Sequence, residues 1–461
     1  MTTTHHLTKS LAQYVAKPTF GSVQAQAQAM AIANLGFIDT IGTMMAGSKE
    51  PVVQLLMAHY EKYQTPQEAP LGFANVFKPA PIAACINATA GHALDYDDVA
   101  MSGHPSVVLV PAILAEGHCL NASGEQALQA YVVGYEVWSE LVYREPGKYH
   151  LKGWHPTGVL GTVAVAAAVS VLHQLNEEQA SNALAIAASM ASGLVANFGS
   201  MTKPLHAGRA AANGIEAVRL AKIGVTASPD AFEHSAGYLN ALSVKQDADR
   251  LSAADRLGQQ PRILETGLSI KRYPICYSCH RTVDGMLDLV AAHNLTPSDI
   301  DHITCTIGPA QASMLRNHRP QTGLEAKFSI EFAMASAVVK RDVGLRQLTD
   351  EFVLQPAVQA LFEKVSVQIN EEPCPLEPCL ALTDRVVVTL TDGRSLDSGP
   401  IRFPLGNAGK PLDEAGMRAK FIDCLESAKA LGVDLPFTAQ TLYSRVSRLE
   451  SIHSLKSIFE R

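Results

Sequence analysis

The sequence predicts a mainly α protein, with a large all-helical domain and a smaller α+β domain that we expect to act as a lid. Three observations predict this fold class. The 461 residues exceed what one compact core normally holds. Apolar residues recur at three- and four-residue spacing from about residue 20 to about residue 260, as in amphipathic helices. Short runs rich in β-branched residues follow Gly267, as in strands.

The helical part consists of wide apolar stripes separated by Gly, Pro and Asn. Small residues dominate these stripes, for example at 163–169 and 184–189. Because small side chains let helix axes approach closely, we expect a compact packing of many helices. The predicted helices lie near 26–47, 81–94, 104–116, 124–144, 157–174, 178–195 and 207–223.

The α+β part is predicted from three strand-like runs, at 303–307, 365–369 and 385–390. Asp392-Gly393 after the last run is a hairpin signal, and 325–340 reads as a helix. Helical patterns return at 414–431 and 438–450. The chain therefore divides into a helical domain at 1–267, an α+β lid domain at 268–402 and C-terminal helices at 403–461 that rejoin the helical domain.

Composition excludes several classes of protein. A hydrophobic fraction of 47% with 18% charged residues is typical of a well-buried globular chain. The net charge of −7, without any Lys/Arg block, argues against a nucleic-acid partner. The first residues lack a signal-peptide pattern, and the apolar stretch 159–175 suits a buried helix better than a membrane span. Eight scattered cysteines indicate free thiols, so we expect a cytoplasmic protein. From the charge and the apolar pattern together we expect a small-molecule partner and no membrane.

Residues 200–209 predict an anion pocket. Lys203, His206 and Arg209 are spaced by three and share one helical face. If Pro204 lies in the first turn of that helix, free backbone N–H groups and the positive helix end add to these side chains. A solvated basic face is the alternative, but the neighbouring Phe198 and the alanine-rich segment that follows argue against it.

An acidic run ends the helix before residue 95. Asp95, Asp97 and Asp98 oppose the helix dipole there, so helix stability does not explain them. A solvated loop or a divalent metal site are alternatives, but the run lacks the remaining positions of a calcium loop, and we expect no metal. We favour Asp95 as the group that orients His104 and stabilises its charged form.

Further histidines and cations occur in other motifs. His155 precedes Pro-Thr-Gly at a predicted helix start, where it either faces a cavity or packs beside Trp154. The segment from Cys276 to His280 matches the C-x-x-C-H pattern of haem attachment and the redox C-x-x-C. Haem attachment requires export, and a redox or zinc site lacks its usual context, so we expect no cofactor. Lys271 offers a further cation for an anion.

Together these motifs resemble the MmgE/PrpD family, which includes 2-methylcitrate dehydratases, cis-aconitate decarboxylases and an iminodisuccinate epimerase. The resemblance extends over nearly the whole chain. The motifs that carry it are D-Y-D-D at 95–98, G-H-P-S at 103–106, G-W-H-P-T-G at 153–158, M-T-K-P-L-H-A-G at 201–208 and K-R-Y-P…C-H-R at 271–281.

The resemblance implies a homodimer whose active site lies in a cleft between a helical domain and an α+β lid, without metal or organic cofactor. It implies these site residues: Asp95, His104, His155, Lys203 and Lys271, with His280 at the edge. Two positions depart from the decarboxylase pattern. Cys276 stands where that pattern has a histidine, and Phe332 where it has a tyrosine. These departures weigh most against decarboxylation.

The reactions of this family share a requirement. Each generates or consumes negative charge on a carbon next to a carboxylate, which needs a base, an acid and cations on the carboxylate oxygens. We assign Lys203 and Lys271 to the carboxylates, and His155 and His104 to proton transfer, with His280, His206 and Arg209 as further binding residues.

The leading expectation is a cofactor-independent lyase of a small di- or tricarboxylate, similar to 2-methylcitrate dehydratase. An epimerase, a cis-aconitate decarboxylase and a non-catalytic carboxylate-binding protein are the alternatives. A binding protein has little need for several histidines that titrate near neutral pH.

Overall fold

The computed structural model describes residues 6–63, 65–375, 377 and 380–460. The chain divides into two compact units. A helical unit contains the residues up to Leu268 and those from Ala415 onwards, and a second unit comprises Ser269–Glu414. The first boundary lies one residue after the predicted one.

The helical unit is formed from long, mostly buried helices. Small residues allow their close packing, as predicted: a Cβ at Gly208 of the tenth helix would meet Thr89 Oγ1 at 2.2 Å. The helices of this part are α1 Leu7–Ala16, α2 Val23–Ala46, α3 Pro51–Glu61, α4 Ala80–Ala93, α5 Pro105–Leu120, α6 Gly124–Tyr143, α7 Tyr149–Lys152, α8 Pro156–Leu172, α9 Glu177–Met190, α10 Thr202–Lys222, α11 Tyr238–Leu242 and α12 Ile263–Thr266.

The expectation of an all-helical large domain was wrong in one detail. Strands β1 (Ala69–Leu71) and β2 (Ala74–Lys78) form an antiparallel hairpin inside the helical unit. The strands are short, and Pro70 and the turn at Gly72 leave no long alternating pattern to read. The fold is nevertheless mainly α.

One stretch, Val23–Lys49, is long and apolar enough to cross a membrane by length and composition, with a mean hydropathy of 1.3 in its most apolar window. Of that window, 78% is buried within the protein, as in a core helix. The apolar stretch that we singled out at 159–175 forms the shorter helix α8, whose residues from Pro156 to Ser170 are all buried.

The second unit is α+β, as predicted. A four-stranded sheet has the order β4-β3-β5-β6, in which β3 pairs parallel with β4 and antiparallel with β5. The elements are α13 His280–His293, β3 Ile300–Ile307, α14 Pro309–Met314, α15 Gly323–Ala326, α16 Ile330–Lys340, α17 Asp350–Val353, α18 Pro356–Phe362, β4 Val365–Ile369, β5 Arg385–Leu390 and β6 Ser395–Asp397. The single helix predicted at 325–340 is thus two helices, and whether this unit acts as a lid stays a prediction.

The C-terminal helices are α19 (Glu414–Ala430) and α20 (Ala439–Val446), and the residues from Ala415 onwards belong to the helical unit. Residues 403–414, which lie beyond the boundary that we predicted at 402, group with the second unit. Hydrogen bonds explain this: Ile270 N donates to Gly406 O at 2.8 Å, and Leu405 N donates to Asp284 Oδ2 at 2.6 Å. This segment has no periodic apolar pattern that would have assigned it.

Candidate active site

The ends of four helices bring the candidate residues of the helical unit together. His92 lies in the last turn of α4, His104 and His155 immediately precede α5 and α8, and Lys203 lies in the first turn of α10. The ring of His92 lies 4.5 Å from that of His104 and 5.8 Å from that of His155. All four side chains are buried.

The loop between α4 and α5 adopts an unusual backbone conformation. Asp95, Met101 and Ser102 have φ angles of 52°, 47° and 65°. Non-glycine residues adopt this left-handed region at a cost, which other contacts must offset. Gly103 packs so closely on Trp138 that a Cβ would lie 2.6 Å from the ring. The close packing of Gly103 on Trp138 is one contact that can offset this cost.

Asp97 is the carboxylate that joins two of the histidines. His92 Nδ1 lies 3.0 Å from each Asp97 oxygen, and His104 Nδ1 lies 2.9 Å from Oδ2, although away from the ideal hydrogen-bond direction. Burial alone would raise the pKa of Asp97, but the two imidazoles hold it well below its usual value. An ionised Asp97 directs both Nδ1 atoms towards itself and leaves each Nε2 for other partners.

Asp95 has a different partner from the one we expected. Its Oδ1 accepts a hydrogen bond from Lys203 Nζ at 2.5 Å and lies 4.0 Å from His104 Nε2. We assigned the orientation of His104 to Asp95, whereas the shorter contact to that ring comes from Asp97, two residues later. The spacing in the sequence could not show which of the two carboxylates faces the His104 ring. That depends on the left-handed φ of Asp95, which follows helix α4.

His155 and His206 form a second pair. Their Nδ1 atoms lie 3.1 Å apart, and the backbone of His155 donates to Gly193 O at 3.0 Å. Burial lowers the pKa of His155 well below its usual value, and lowers those of His92 and His206 to about 4. These imidazoles are therefore neutral at pH 7, next to the Lys203 ammonium.

The structure brings together two of the three cations that we predicted at the start of α10, and an anion pocket there stays a prediction. Pro204 lies in the first turn, and both Lys203 and His206 join the cluster. Arg209 does not join it: its side chain is exposed and donates to Asn213 Oδ1 at 3.0 Å on the same helix. Because a helix has about 3.6 residues per turn, side chains three residues apart are rotated relative to one another. Arg209 therefore points away from the cluster.

Lys271 and His280 lie in the second unit, so their roles stay predictions. Lys271 is 1% exposed. His280 is buried, with Nε2 3.3 Å from Ile275 O and its ring 5.1 Å from the rings of both Tyr273 and Tyr277. His280 thus has the surroundings of a packed core histidine.

His92, Asp95 and His104 present atoms that could ligate a metal ion, all within 4.8 Å of one another. A cation there would share the Asp95 oxygen with the Lys203 ammonium at 2.5 Å. Two cations that share one buried carboxylate oxygen repel each other strongly. The arrangement therefore suits a lysine–carboxylate pair better than a metal centre.

Sequence reasoning missed His92 and Lys420. His92 lies three residues before Asp95, and its position in the last helical turn was a usable signal. Lys420 donates to Asp39 Oδ1 at 2.5 Å and to Tyr96 O at 2.8 Å, so the C-terminal segment supports the loop that carries Asp95 and Asp97. A contact across more than 300 residues leaves no local signal in the sequence.

Comparison with known proteins decides the family. The MmgE/PrpD N-terminal domain matches residues 9–251, and the MmgE/PrpD C-terminal domain matches residues 273–430. The chain belongs to the MmgE/PrpD family. The resemblance inferred from its motifs is thereby confirmed.

Curated relatives of this family member are cis-aconitate decarboxylases. The human enzyme is 28% identical over 431 residues, which cover 90% of this chain and 86% of that protein. The mouse enzyme is 27% identical over 432 residues (90% and 85%), and that of Aspergillus terreus is 27% identical over 362 residues (71% and 71%). A lyase-type activity agrees with the family and with these relatives. A homodimer stays a prediction.

Proposed function

We propose that this MmgE/PrpD protein is a cofactor-independent lyase of a small di- or tricarboxylate, with dehydration of a 2-methylcitrate-like substrate as its leading reaction. One observation carries the proposal. The buried Lys203 ammonium lies beside neutral imidazoles, His155 and His206 among them. A fixed cation that binds a carboxylate next to a neutral base is what removal of a proton from the adjacent carbon requires.

In the proposed reaction Lys203 binds the substrate carboxylate. Asp95 accepts a hydrogen bond from the same ammonium at 2.5 Å, which holds the cation in place for the substrate. His155 takes the proton from the carbon next to this carboxylate. The electron pair of the broken C–H bond forms the carbon–carbon double bond, and the hydroxyl on the neighbouring carbon leaves as water with a proton from His104.

Decarboxylation is the second candidate, because the relatives named above are cis-aconitate decarboxylases. In that reaction CO2 leaves, and an acid protonates the carbon that keeps the electron pair. The two positions that depart from the decarboxylase pattern, Cys276 and Phe332, both lie in the apolar core of the second unit. Phe332 has no proton to transfer. These two positions weigh against decarboxylation.

Epimerisation of an iminodisuccinate-like dicarboxylate uses the same first step, after which a proton returns to the opposite face of the carbon. A non-catalytic carboxylate-binding protein would need the lysine but not the histidines. The paired arrangement of His92 with Asp97, and of His155 with His206, supports catalysis over binding.

One experiment distinguishes these reactions. The protein is incubated in heavy water with 2-methylcitrate, cis-aconitate and iminodisuccinate, and proton NMR follows each compound. Dehydration yields an alkene and consumes the alcohol, decarboxylation yields a product shorter by one carbon, and epimerisation exchanges one carbon-bound proton for deuterium. Exchange or turnover that is lost in His155→Gln supports the proposal. No change in any compound would contradict an enzymatic function on this panel.

A further inference from the structure

A second cluster of charged side chains lies at the opposite ends of the helices that carry the candidate site. Glu116 is near the end of α5, His173 directly follows α8, and Arg219 is in the last turn of α10. Glu68 accepts a hydrogen bond at 3.0 Å from the backbone of Ala80, the first residue of α4. With Lys222, also in the last turn of α10, these side chains form what we call the distal cluster: Glu68, Glu116, His173, Arg219 and Lys222.

Glu116 is the centre of the distal cluster. Its carboxylate accepts hydrogen bonds from Arg219 Nε at 3.0 Å and from Arg219 Nη2 at 2.9 Å, and lies 2.7 Å from His173 Nε2. The same Arg219 nitrogen donates to Glu68 Oε2 at 2.9 Å, and Lys222 Nζ lies 2.9 Å from His173 Nδ1. Glu116 is 1% exposed. The buried Glu116 carboxylate thus connects α5, α8 and α10. Through Arg219 and Glu68 it is also connected to the start of α4.

The other ends of these four helices carry the candidate catalytic groups. His92 lies at the end of α4, His104 and His155 immediately precede α5 and α8, and Lys203 lies at the start of α10. At 1.5 Å per residue, Glu116 is about 18 Å from His104 along α5, and Arg219 is about 24 Å from Lys203 along α10. A helix is stiff along its axis, so a shift at one end appears at the other.

We infer that Glu116 is a positioning residue, which fixes the axial register of α4, α5, α8 and α10 and thereby the spacing of His92, His104, His155 and Lys203. The inference rests on the proposed function, because that function requires these groups at defined distances. A buried ion pair adds little net stability relative to apolar side chains of similar volume. In this protein we assign to it the role of specifying one arrangement of the helices that it joins. The distal cluster therefore matters for geometry more than for stability.

A ligand site is the alternative interpretation of the same region, since a cavity of about 700 Å³ opens there. Its cationic lining suggests an anion, but Arg219 is already bound to two carboxylates, and Lys222 to His173. The ends of α5, α8 and α10 also direct their partial negative charge towards it. The cavity admits water, so a neutral side chain at position 116 can be solvated.

The test compares Glu116→Gln with Glu140→Gln. Glu140 is a matched control: it is also buried, and it accepts hydrogen bonds at 2.8 Å from both Arg144 and Arg262, but it lies on α6, which carries none of the four groups. A displacement of 1 Å at a catalytic group costs roughly a hundredfold in rate. We expect Glu116→Gln to lower kcat by roughly ten- to a hundredfold with little change in KM, and Glu140→Gln to leave kcat unchanged.

A second measurement does not depend on turnover. In 1H–15N spectra of the histidine side chains, Glu116→Gln should shift the signals of His104 and His155, and Glu140→Gln should not. His173→Asn, at a half-buried position, should show a smaller shift and serves if Glu116→Gln does not fold. Unchanged histidine signals in folded Glu116→Gln, or equal losses of kcat in both glutamine variants, would overturn the inference. A wild-type protein without turnover on the substrate panel would contradict only the proposed function.

Discussion

The Nδ1 atoms of His155 and His206 lie 3.1 Å apart. A hydrogen bond between two imidazole nitrogens requires that one carries a proton and the other does not. Because burial lowers the pKa of both rings, neither is doubly protonated at pH 7. The two rings therefore hold opposite Nδ1 tautomers, and the tautomer of His206 decides whether His155 presents a base or an acid at Nε2.

This relationship predicts different effects for two substitutions of His206. An asparagine places a polar atom close to the position of Nδ1, whereas a phenylalanine removes the partner and keeps the ring. We expect His206→Phe to lower kcat at least about fivefold, because it removes one neutral hydrogen bond worth about 1 kcal/mol. His206→Asn should lower kcat less. Steady-state kinetics measures both. Equal activity of the two variants would show that His206 does not control His155.

Lys203 is predicted to bind the substrate carboxylate. Replacement by methionine keeps the length of the side chain but removes a charge-assisted contact of about 1.5–3 kcal/mol, so kcat/KM should fall by roughly ten- to a hundredfold or more. Arg209→Gln is the matched control, because Arg209 is an exposed cation on the same helix. If Arg209 also bound substrate, its loss would reduce kcat/KM as well, and kinetics of the two variants decides this.

The sequence predicted the large features of the fold because they depend on local periodicity. The helices α2, α4, α5, α6, α8, α9 and α10, the strands β3, β4 and β5 and the hairpin to β6 lie where apolar spacing and turn residues placed them. The hairpin β1–β2 and the exact end of the second unit escaped prediction. The hairpin has strands of only three and five residues, and the end of the second unit depends on hydrogen bonds between residues far apart in the sequence.

The site was predicted less completely than the fold. The resemblance to the MmgE/PrpD family, not the spacing of the motifs, implied that Lys203, His155 and His104 share one site, and the structure places each of them at or beside a helix end. The motifs did not reveal that Asp97 rather than Asp95 makes the shortest contact to His104. That difference follows from the left-handed φ of Asp95, which a sequence does not specify for a residue other than glycine.

Stability is predicted to fall in acid because of His92. Burial lowers its pKa from 6.5 to about 4. Between these values the unfolded chain binds more protons than the folded protein, so the free energy of unfolding decreases as pH falls through this window. For this buried ring the loss is on the order of 3 kcal/mol. Urea unfolding at several pH values should show a weaker dependence in His92→Gln, and an unchanged dependence would contradict the assignment.

The last prediction concerns Lys420, which is buried and donates to Asp39 Oδ1 at 2.5 Å and to Tyr96 O at 2.8 Å, between Asp95 and Asp97. Lys420→Met leaves the buried Asp39 carboxylate without its ammonium, and we expect the free energy of unfolding to fall by about 3–5 kcal/mol. The double variant Asp39→Asn with Lys420→Met removes both charges and should recover much of that stability. It should not recover kcat, because the hydrogen bond from position 420 to Tyr96 O, which supports the loop that carries Asp95 and Asp97, is still absent. Urea unfolding and steady-state kinetics of both variants separate these effects. A double variant that regains stability and kcat together would show that Lys420 only neutralises Asp39.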